Sequence, residues 1–233
     1  VFLTYRQYTS ILDAIIIPSL VKNSESYAFR PIFRPIHPYP GNIPKLGWGN
    51  MTVARIKTVA FQGIDTLEID VQIQMANGIP AFTIVGLPDK AVGESRERVR
   101  AALGSIGLAL PPRRIVVNLS PADVLKEGSH FDLPIAVGLL VAMGVLQQDE
   151  LERFTALGEL ALEGTLSPVA GVLPGAIVAN ATGRGPICPA ACGSEAAWAR
   201  SIQVLAPTDL IALINHIKGS QVLSPPKPKA AEP

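Results

Sequence analysis

The strongest constraint on the fold of this chain is the run of residues 133–146, which is apolar almost all round when drawn as a helix. A helix without a polar face has to be buried, whereas a surface helix is amphipathic. Asp132 directly precedes the run, and we predict that its side chain caps the helix. Residues 126–131 lead into the helix with a glycine and small polar side chains. We therefore expect a rigid loop of the kind that holds functional groups.

The overall composition favours one domain, and the net charge does not indicate a strongly charged binding partner. With 233 residues, 48% of them hydrophobic, the chain can bury one substantial core. Its 20 basic and 19 acidic residues give a net charge of +1, so no global field indicates a nucleic-acid or membrane-surface binder. Cys188 and Cys192 have no second Cys or His pair at zinc spacing, and we interpret them as ordinary reduced cysteines.

No segment of the sequence has the length of a transmembrane helix. The longest strongly apolar runs, residues 11–20 and 133–146, fall short of the ~20 residues needed to cross a bilayer. The first run also lacks the basic region and small-residue cleavage site of a secretory signal. We therefore expect no membrane partner and a cytoplasmic location.

The character of the sequence changes near residue 51. All four tyrosines precede that position, and five prolines interrupt residues 31–44, where they disfavour regular helix or central strand. We interpret residues 1–50 as disordered or as misassigned upstream sequence with Met51 as the natural start; a real but flexible arm is the alternative. Residues 220–233 are rich in proline and charge, which predicts an extended linker toward a further domain.

The residues between these ends predict strands first, and alternating strands and helices later. A strand is predicted over residues 66–75, because apolar and polar side chains alternate from position 67 to position 75, and this alternation indicates one buried and one solvated face. The other predicted strands are 55–61, 81–85, 114–119, 156–162, 186–189 and 202–205, and the predicted helices are 89–106, 133–146, 172–179 and 208–217. This order argues for an α+β two-layer sandwich over residues 51–219.

Four motifs carry a resemblance to a known family. They are Phe61-Gln62-Gly63-Ile64-Asp65, Ile84-Val85-Gly86-Leu87-Pro88-Asp89, Glu94-Ser95-Arg96-Glu97-Arg98-Val99-Arg100 and Val117-Asn118-Leu119-Ser120-Pro121-Ala122-Asp123. With them, residues 52–219 resemble the amino-terminal domain of the magnesium-chelatase-like ATPases of the YifB/ComM group. Three segments also resemble the proteolytic domain of Lon-type proteases: the loop at 126–134, Gly158-Glu159-Leu160 and residues 164–171.

The resemblance carries expectations about fold, partners and activity. It implies the fold of the second domain of ribosomal protein S5, which Lon-type proteolytic domains share. In the complete protein it implies a following AAA+ motor domain that binds ATP and Mg, and a homo-oligomer, a hexamer in the family. It also implies a role in DNA branch migration and recombination during natural transformation, so DNA becomes an expected partner.

The serine–lysine pair of the Lon-type proteases is missing from the aligned positions. A serine nucleophile of this type needs a lysine amine within hydrogen-bond reach. Aligning the Lon loop on residues 126–132 places His130 where the serine belongs, and aligning the later glycine segment places Gly175 where the lysine belongs. The neighbouring Ser129 is the candidate nucleophile if the chain is a divergent peptidase.

The sequence also lacks the phosphate-binding motif of an ATPase. A P-loop reads G-x-x-x-x-G-K-[ST], because backbone amides and a lysine cradle the phosphates. No lysine in this sequence follows a glycine. We therefore assign no cofactor to these 233 residues and expect ATP and Mg only in a motor domain.

Five arginines form the candidate DNA or subunit interface: Arg96, Arg98, Arg100, Arg113 and Arg114. Arg96 and Arg100 share one face of the predicted helix. Glu94 and Glu97 stand close by, so a neutralised and solvated helix face is the alternative. A phosphate-binding surface needs several arginines that are clear of acidic partners.

Together these observations predict a non-catalytic amino-terminal domain that contributes to subunit assembly or to DNA engagement. One alternative is a Lon-like serine peptidase that uses Ser129. Another is a truncated gene product without an independent function.

Overall fold

The computed structural model of the protein describes residues 53–200 and 203–229. All of these residues belong to one compact unit, Gly47–Pro233. The interpretation of residues 1–50 as an extension, with Met51 as the start, lies outside the described residues. The same is true of the beginning of the strand predicted at 202–205.

A six-stranded mixed sheet forms the framework of the described residues. The strands are β1 (Ala54–Gln62), β2 (Asp65–Ala76), β3 (Ala81–Val85), β4 (Arg114–Ser120), β5 (Phe154–Ala156), β6 (Glu159–Leu160), β7 (Leu166–Ser167) and β8 (Gly185–Ile187). The strand order of the large sheet is β3-β4-β2-β1-β5-β8. β2 runs antiparallel to both β1 and β4, and the three other pairs are parallel. β6 and β7 form a separate two-stranded ribbon.

Helices connect the strands and make the fold α+β, as the sequence predicted. They are α1 (Asp89–Ser105), α2 (Asp132–Ala142), α3 (Gln148–Leu151), α4 (Val172–Ala181), α5 (Gly193–Ala196) and α6 (Leu210–Ile217), with 3-10 helices at Ala190–Cys192 and Ala197–Ala199. The finer assignment to the second domain of ribosomal protein S5 stays a prediction.

The alternating pattern of β2 divides its side chains between two faces of the sheet, which confirms the sequence prediction. Ile69, Val71 and Ile73 are fully buried, whereas the polar residues between them are partly exposed. Val71 lies opposite Ile56 of β1, and Ile73 lies opposite Val117 of β4. The neighbouring strands therefore extend the apolar face on which the core is built.

α2 packs against this apolar face and is buried along most of its length, as its lack of a polar side predicts. Gly138 brings the helix close to the sheet, because a Cβ atom there would lie only 1.9 Å from Ile73 Cδ1. The helix ends at Ala142 and not at the end of the apolar run 133–146. Gly144 has a left-handed φ of 74°, which stops the helical path while the apolar sequence continues.

α1 packs beside α2 through the apolar stripe that the sequence predicted. Val99 and Leu103 are fully buried, and Val92 and Ile106 are partly buried against the same core. The opposite side of α1 carries most of the charged residues of the helix, so it presents arginine and glutamate side chains toward solvent.

The chain turns where the sequence predicted one strand over 156–162. β5 ends at Ala156 and β6 begins at Glu159. Between them, the Gly158 amide donates to the His130 carbonyl at 3.0 Å, and the Gly158 carbonyl accepts from the Leu133 amide at 2.9 Å. At Gly158 the backbone therefore bonds to the residues around the start of α2 and not to a neighbouring strand. These two bonds place Glu159 beside the loop that precedes α2.

Candidate functional site

The loop before α2 is held by its own turn and by the bonds to Gly158. Gly128 opens the loop with a left-handed φ of 96°, a conformation that favours glycine. A Cβ atom on Gly128 would also lie 3.0 Å from His130 Nδ1. The Ser129 carbonyl accepts from the Asp132 amide at 3.1 Å, which completes a tight turn into the helix. The loop is therefore well placed to hold its side chains in fixed positions.

Ser129 and His130 lie next to each other in the chain but do not form a catalytic pair. The Ser129 hydroxyl donates to the carboxylate of Glu159. His130 is 5% exposed, and its Nε2 lies 2.9 Å from the carbonyl oxygen of Val59. A neutral His130 donates a proton in that bond, and burial lowers the pKa of its imidazole. His130 is therefore not arranged to accept the proton of the Ser129 hydroxyl.

Lys126 does not serve Ser129 either. Its side chain is 1% exposed, and Nζ donates to the carbonyls of Pro121 at 2.5 Å and Val124 at 2.8 Å. Burial lowers the pKa of this amine. Lys126 therefore satisfies two carbonyl groups of its own loop, which is the arrangement that a buried lysine requires.

The position aligned with the Lon lysine is closely packed. A Cβ atom on Gly175 would lie 2.9 Å from Leu157 Cδ2 and 3.3 Å from Val59 Cγ2. A longer side chain at Gly175 would have to displace these apolar groups. The backbone at Gly175 therefore packs directly against the apolar side chains of Leu157 and Val59.

Asp132 does not cap α2, contrary to the prediction from the sequence. It is the first residue of the helix, Phe131 occupies the cap position, and no side chain makes a capping bond there. The carboxylate of Asp132 instead accepts from Arg98 Nε at 2.5 Å and Nη2 at 3.2 Å, and from the Leu160 amide at 3.3 Å. Asp132 therefore joins α1, α2 and β6 through one buried group.

The pair of Asp132 and Arg98 is a buried charge with its counter-ion. The Asp132 side chain has no solvent exposure, and the Arg98 side chain has 23%. Burial raises the pKa of the Asp132 carboxyl, and the hydrogen bonds from Arg98 act against this rise. The hydrogen bond to Asp132 in turn raises the pKa of Arg98. Arg98 is a candidate for the DNA or subunit interface in the sequence, but in the structure its guanidinium is bonded to Asp132 within the domain.

The four remaining candidate arginines divide into one paired and three exposed side chains. Arg96 Nε lies 3.4 Å from the carboxylate of Glu97, which fits the alternative of a neutralised helix face at this position. Arg100, Arg113 and Arg114 are exposed. Within residues 53–200 and 203–229, none of these three forms an ion pair. Arg100 lies in α1, Arg113 directly precedes β4, and Arg114 is the first residue of β4.

The polar face of the sheet carries cations too, but they are paired. Lys57 Nζ lies 3.0 Å from Glu68, Arg184 Nη1 lies 2.5 Å from Glu68, and Arg55 Nη1 lies 2.6 Å from Asp70. Burial acts to raise the pKa of Glu68, but Lys57 and Arg184 lower it overall. This face therefore presents balanced charge and not an open positive surface.

Both cysteines are unpaired and buried, in agreement with their interpretation as reduced cysteines. Burial raises the pKa of the Cys188 thiol to about 12, and it also raises the pKa of Cys192. A thiol of this kind is a poor nucleophile, because the thiolate is the reactive form.

Neither a metal centre nor a membrane-spanning helix is present among the described residues. No group of three or more His, Cys, Asp and Glu side chains in 53–200 and 203–229 is arranged to hold a metal ion. None of the helices in the same ranges has the length and apolar character that a bilayer crossing requires.

The sequence analysis missed Glu159 as the partner of Ser129 and Arg98 as the partner of Asp132. Ser129 and Glu159 are 30 positions apart, and Arg98 and Asp132 are 34 apart. The turn Gly158-Glu159-Leu160 was noticed only as part of the resemblance. The signal in the sequence is an acidic residue directly before a helix that is apolar all round, because a fully buried carboxylate needs a cation.

The buried His130 makes stability depend on pH. Because the pKa of folded His130 lies below its ordinary value of 6.5, the unfolded chain binds a proton before the folded domain does. Stability should therefore fall as pH drops below about 6.5, by up to about 1.4 kcal/mol per pH unit. Urea unfolding between pH 7 and pH 5 measures this slope. We expect a shallower slope in His130→Gln, and equal slopes in the two proteins would contradict the assignment.

Comparison with known proteins assigns the sequence to a family. The family model described as subunit ChlI of Mg-chelatase matches residues 71–191, which is more than half of the chain. The chain is 36% identical to the competence protein ComM of Haemophilus influenzae over 173 residues, which are 74% of this chain and 34% of that protein. It is also 36% identical to the uncharacterized protein YifB of Escherichia coli over 181 residues, which are 78% of this chain and 36% of that protein.

A third relative agrees with these two over a shorter region. The uncharacterized protein YifB of Salmonella typhimurium is 42% identical over 134 residues, which are 58% of this chain and 26% of that protein. The chain thus spans about a third of the length of the ComM and Escherichia coli YifB proteins. Because the match includes α1, β4 and α2, the elements that carry Arg98 and Asp132 are shared with this group. The chain belongs to the Mg-chelatase subunit ChlI family and, within it, to the ComM/YifB group.

Proposed function

We propose that this chain acts as a non-catalytic domain of a ComM/YifB-type ATPase and contributes to DNA engagement. The observation that carries the proposal is the contrast between two sets of side chains. Lys126, Ser129 and His130 are all bonded inside the domain, whereas Arg100, Arg113 and Arg114 are exposed without an ionic partner among the described residues. The side chains of the first set are engaged in bonds within the domain, so they are poorly placed to act as catalytic groups. The guanidinium groups of the second set can contact phosphates.

The role in the whole protein rests on the relatives. One of them is named as a competence protein, and this name supports the proposed role in DNA branch migration during natural transformation. The proposed partners are DNA, an AAA+ motor domain that binds ATP and Mg, and further copies of the chain in a hexamer. A role in subunit assembly through the same three arginines is the second form of this proposal.

Phosphate contact requires cations that are exposed and not already neutralised. Arg98 is bonded to Asp132, Arg96 lies beside Glu97, and the cations on the polar sheet face have carboxylate partners. These pairings reduce the proposed interface from five arginines to three. With so few contacts and a net charge of only +1, binding should be weak and strongly dependent on salt.

The peptidase alternative finds less support in the geometry. A serine nucleophile needs a base that can accept its proton. The Ser129 hydroxyl is bonded to the Glu159 carboxylate, while His130 and Lys126 are directed to backbone carbonyls. Peptide hydrolysis that disappears in Ser129→Ala would overturn the non-catalytic proposal.

Fluorescence anisotropy with a labelled DNA duplex tests the proposed interface. We expect weak binding at low salt and a linear fall of log K with log salt concentration. Each phosphate contact contributes about 0.9 to the slope on duplex DNA. Replacing Arg100, Arg113 and Arg114 together by glutamine should therefore reduce the slope by about 2–3 and weaken binding at every salt concentration.

The matched control removes the same charge from other exposed positions. Lys90, Lys218 and Lys227 are exposed, and their joint replacement by glutamine changes the net charge equally. If the two triple variants lose affinity to the same extent, binding follows net charge and the three arginines are not the interface. Tight binding that does not depend on salt would also refute the proposal.

A further inference from the structure

The segment 221–229 runs along the surface of the domain and is attached to it at three points. The Leu223 amide donates to His216 Nδ1 at 2.9 Å. Pro226 packs over Gly193, where a Cβ atom would lie 3.1 Å from Pro226 Cβ. The carbonyl of Lys229 accepts from the indole nitrogen of Trp198 at 3.1 Å. The segment contains no helix or strand, so these contacts fix its path.

The three contacts recur every third residue. Positions 223, 226 and 229 make them, and Leu223 and Pro226 are half-buried, while residues 221, 222, 224, 225, 227 and 228 are exposed. A polyproline II helix has three residues per turn and a rise of about 3.1 Å per residue, so every third residue lies on the same side. The proline content of this segment favours that conformation. The contact pattern is therefore that of one face of a polyproline II helix laid on the domain.

The receiving surface has features that suit such a segment. His216 lies in the last turn of α6, Gly193 begins α5, and Trp198 lies in the 3-10 helix that follows α5. Aromatic side chains recognise polyproline II segments, whose backbone carbonyls stay free to accept hydrogen bonds. Gly193 supplies the space, because a Cβ atom there would also lie 2.8 Å from the Cβ of Ala206.

We propose that His216, Gly193 and Trp198 form a docking site for an extended, proline-rich segment, and that its occupant is residues 223–229 of the same chain. The site differs from the three arginines of the proposed function and does not depend on DNA binding. Docking gives a segment with the composition of an extended, proline-rich linker a fixed path on the domain. The energy of docking is shared among one imidazole acceptor, one indole donor and the packing of Pro226.

Two proline substitutions, one position apart, test the three-residue register. Pro226 faces Gly193, whereas the adjacent Pro225 is exposed. We expect Pro226→Asp to release the segment, so that the Leu223 amide exchanges with solvent about 10-fold faster or more. Pro225→Asp introduces the same charge and removes the same ring, and we expect exchange within about two-fold of the unchanged protein. NMR-detected hydrogen exchange on the full chain measures both.

The emission of Trp198 gives a second readout. The sequence contains two tryptophans, and a Trp48→Phe background leaves Trp198 as the only tryptophan. Pro226→Asp should shift its emission to the red, as expected for an indole that loses a covering contact, and Pro225→Asp should not. Equal effects of the two substitutions, or an unprotected Leu223 amide in the unchanged protein, would overturn the proposal. Protection that disappears on dilution would show that the occupant is a second copy, which also overturns it.

Discussion

Replacing Arg98 by methionine should destabilise the domain by about 3–5 kcal/mol, because it leaves the buried Asp132 carboxylate without its counter-ion. Asp132 has no exposed side-chain surface and receives two bonds from Arg98 at 2.5 and 3.2 Å. Methionine retains much of the apolar volume of the arginine stem, so most of the expected loss is electrostatic. Urea unfolding at neutral pH, followed by circular dichroism, measures the free energy of unfolding.

Two further variants separate the loss of the pair from the loss of an arginine. Arg100→Met lies on the same helix, but Arg100 is exposed, and it should change stability by no more than about 0.5 kcal/mol. Adding Asp132→Asn to Arg98→Met removes the uncompensated charge, so the double variant should be more stable than Arg98→Met alone. If Arg98→Met costs no more than Arg100→Met, the buried pair does not hold α1 and α2 together.

The Arg98→Met variant should also respond differently to acid. Burial raises the pKa of Asp132, and the loss of Arg98 removes the main influence that lowers it. The stability associated with a raised carboxyl pKa is present at low pH and is lost as pH rises through that pKa. The difference between the unchanged protein and Arg98→Met should therefore shrink as pH falls toward the ordinary carboxyl range.

Patterns with a short repeat were sufficient to predict much of the framework. The two-residue alternation in β2 identified Ile69, Val71 and Ile73 as core residues, and the unbroken apolar run identified α2 as a buried helix. These predictions succeeded because each depends on neighbours in the sequence. The end of α2 was wrong by several residues, since Gly144 breaks the helix while apolar residues continue on a different path.

The candidate site was less predictable because its bonds join distant positions. Asp132 has the residue type and location of a helix cap. In the folded chain, however, its carboxylate accepts a hydrogen bond from Arg98 and makes no capping bond. In the same way, the turn at Gly158 brings Glu159 to Ser129 by bonding to the loop before α2. The proline-rich segment was predicted as extended from composition alone. Its register on His216, Gly193 and Trp198 required the surface that receives it.

The same substitution in two helices should have opposite effects on stability. Gly138 of α2 faces the sheet, and a Cβ atom there would lie 1.9 Å from Ile73 Cδ1 and 3.3 Å from Ile56 Cγ1. Ile73 is fully buried, so its side chain cannot move into solvent to make room. Overpacking of this kind costs about 1–3 kcal/mol, and the better helix propensity of alanine offsets about 0.5–1 kcal/mol of that cost. We expect Gly138→Ala to destabilise the domain by about 1–2 kcal/mol.

Gly93 of α1 is the matched control, because it lies inside a helix and a Cβ atom there would meet nothing within 4 Å. Gly93→Ala should therefore gain the propensity difference alone and stabilise the domain by about 0.5–1 kcal/mol. Thermal unfolding of both variants gives the two signs in one experiment. If Gly138→Ala were as stable as Gly93→Ala, α2 would not approach the sheet as closely as its glycine permits.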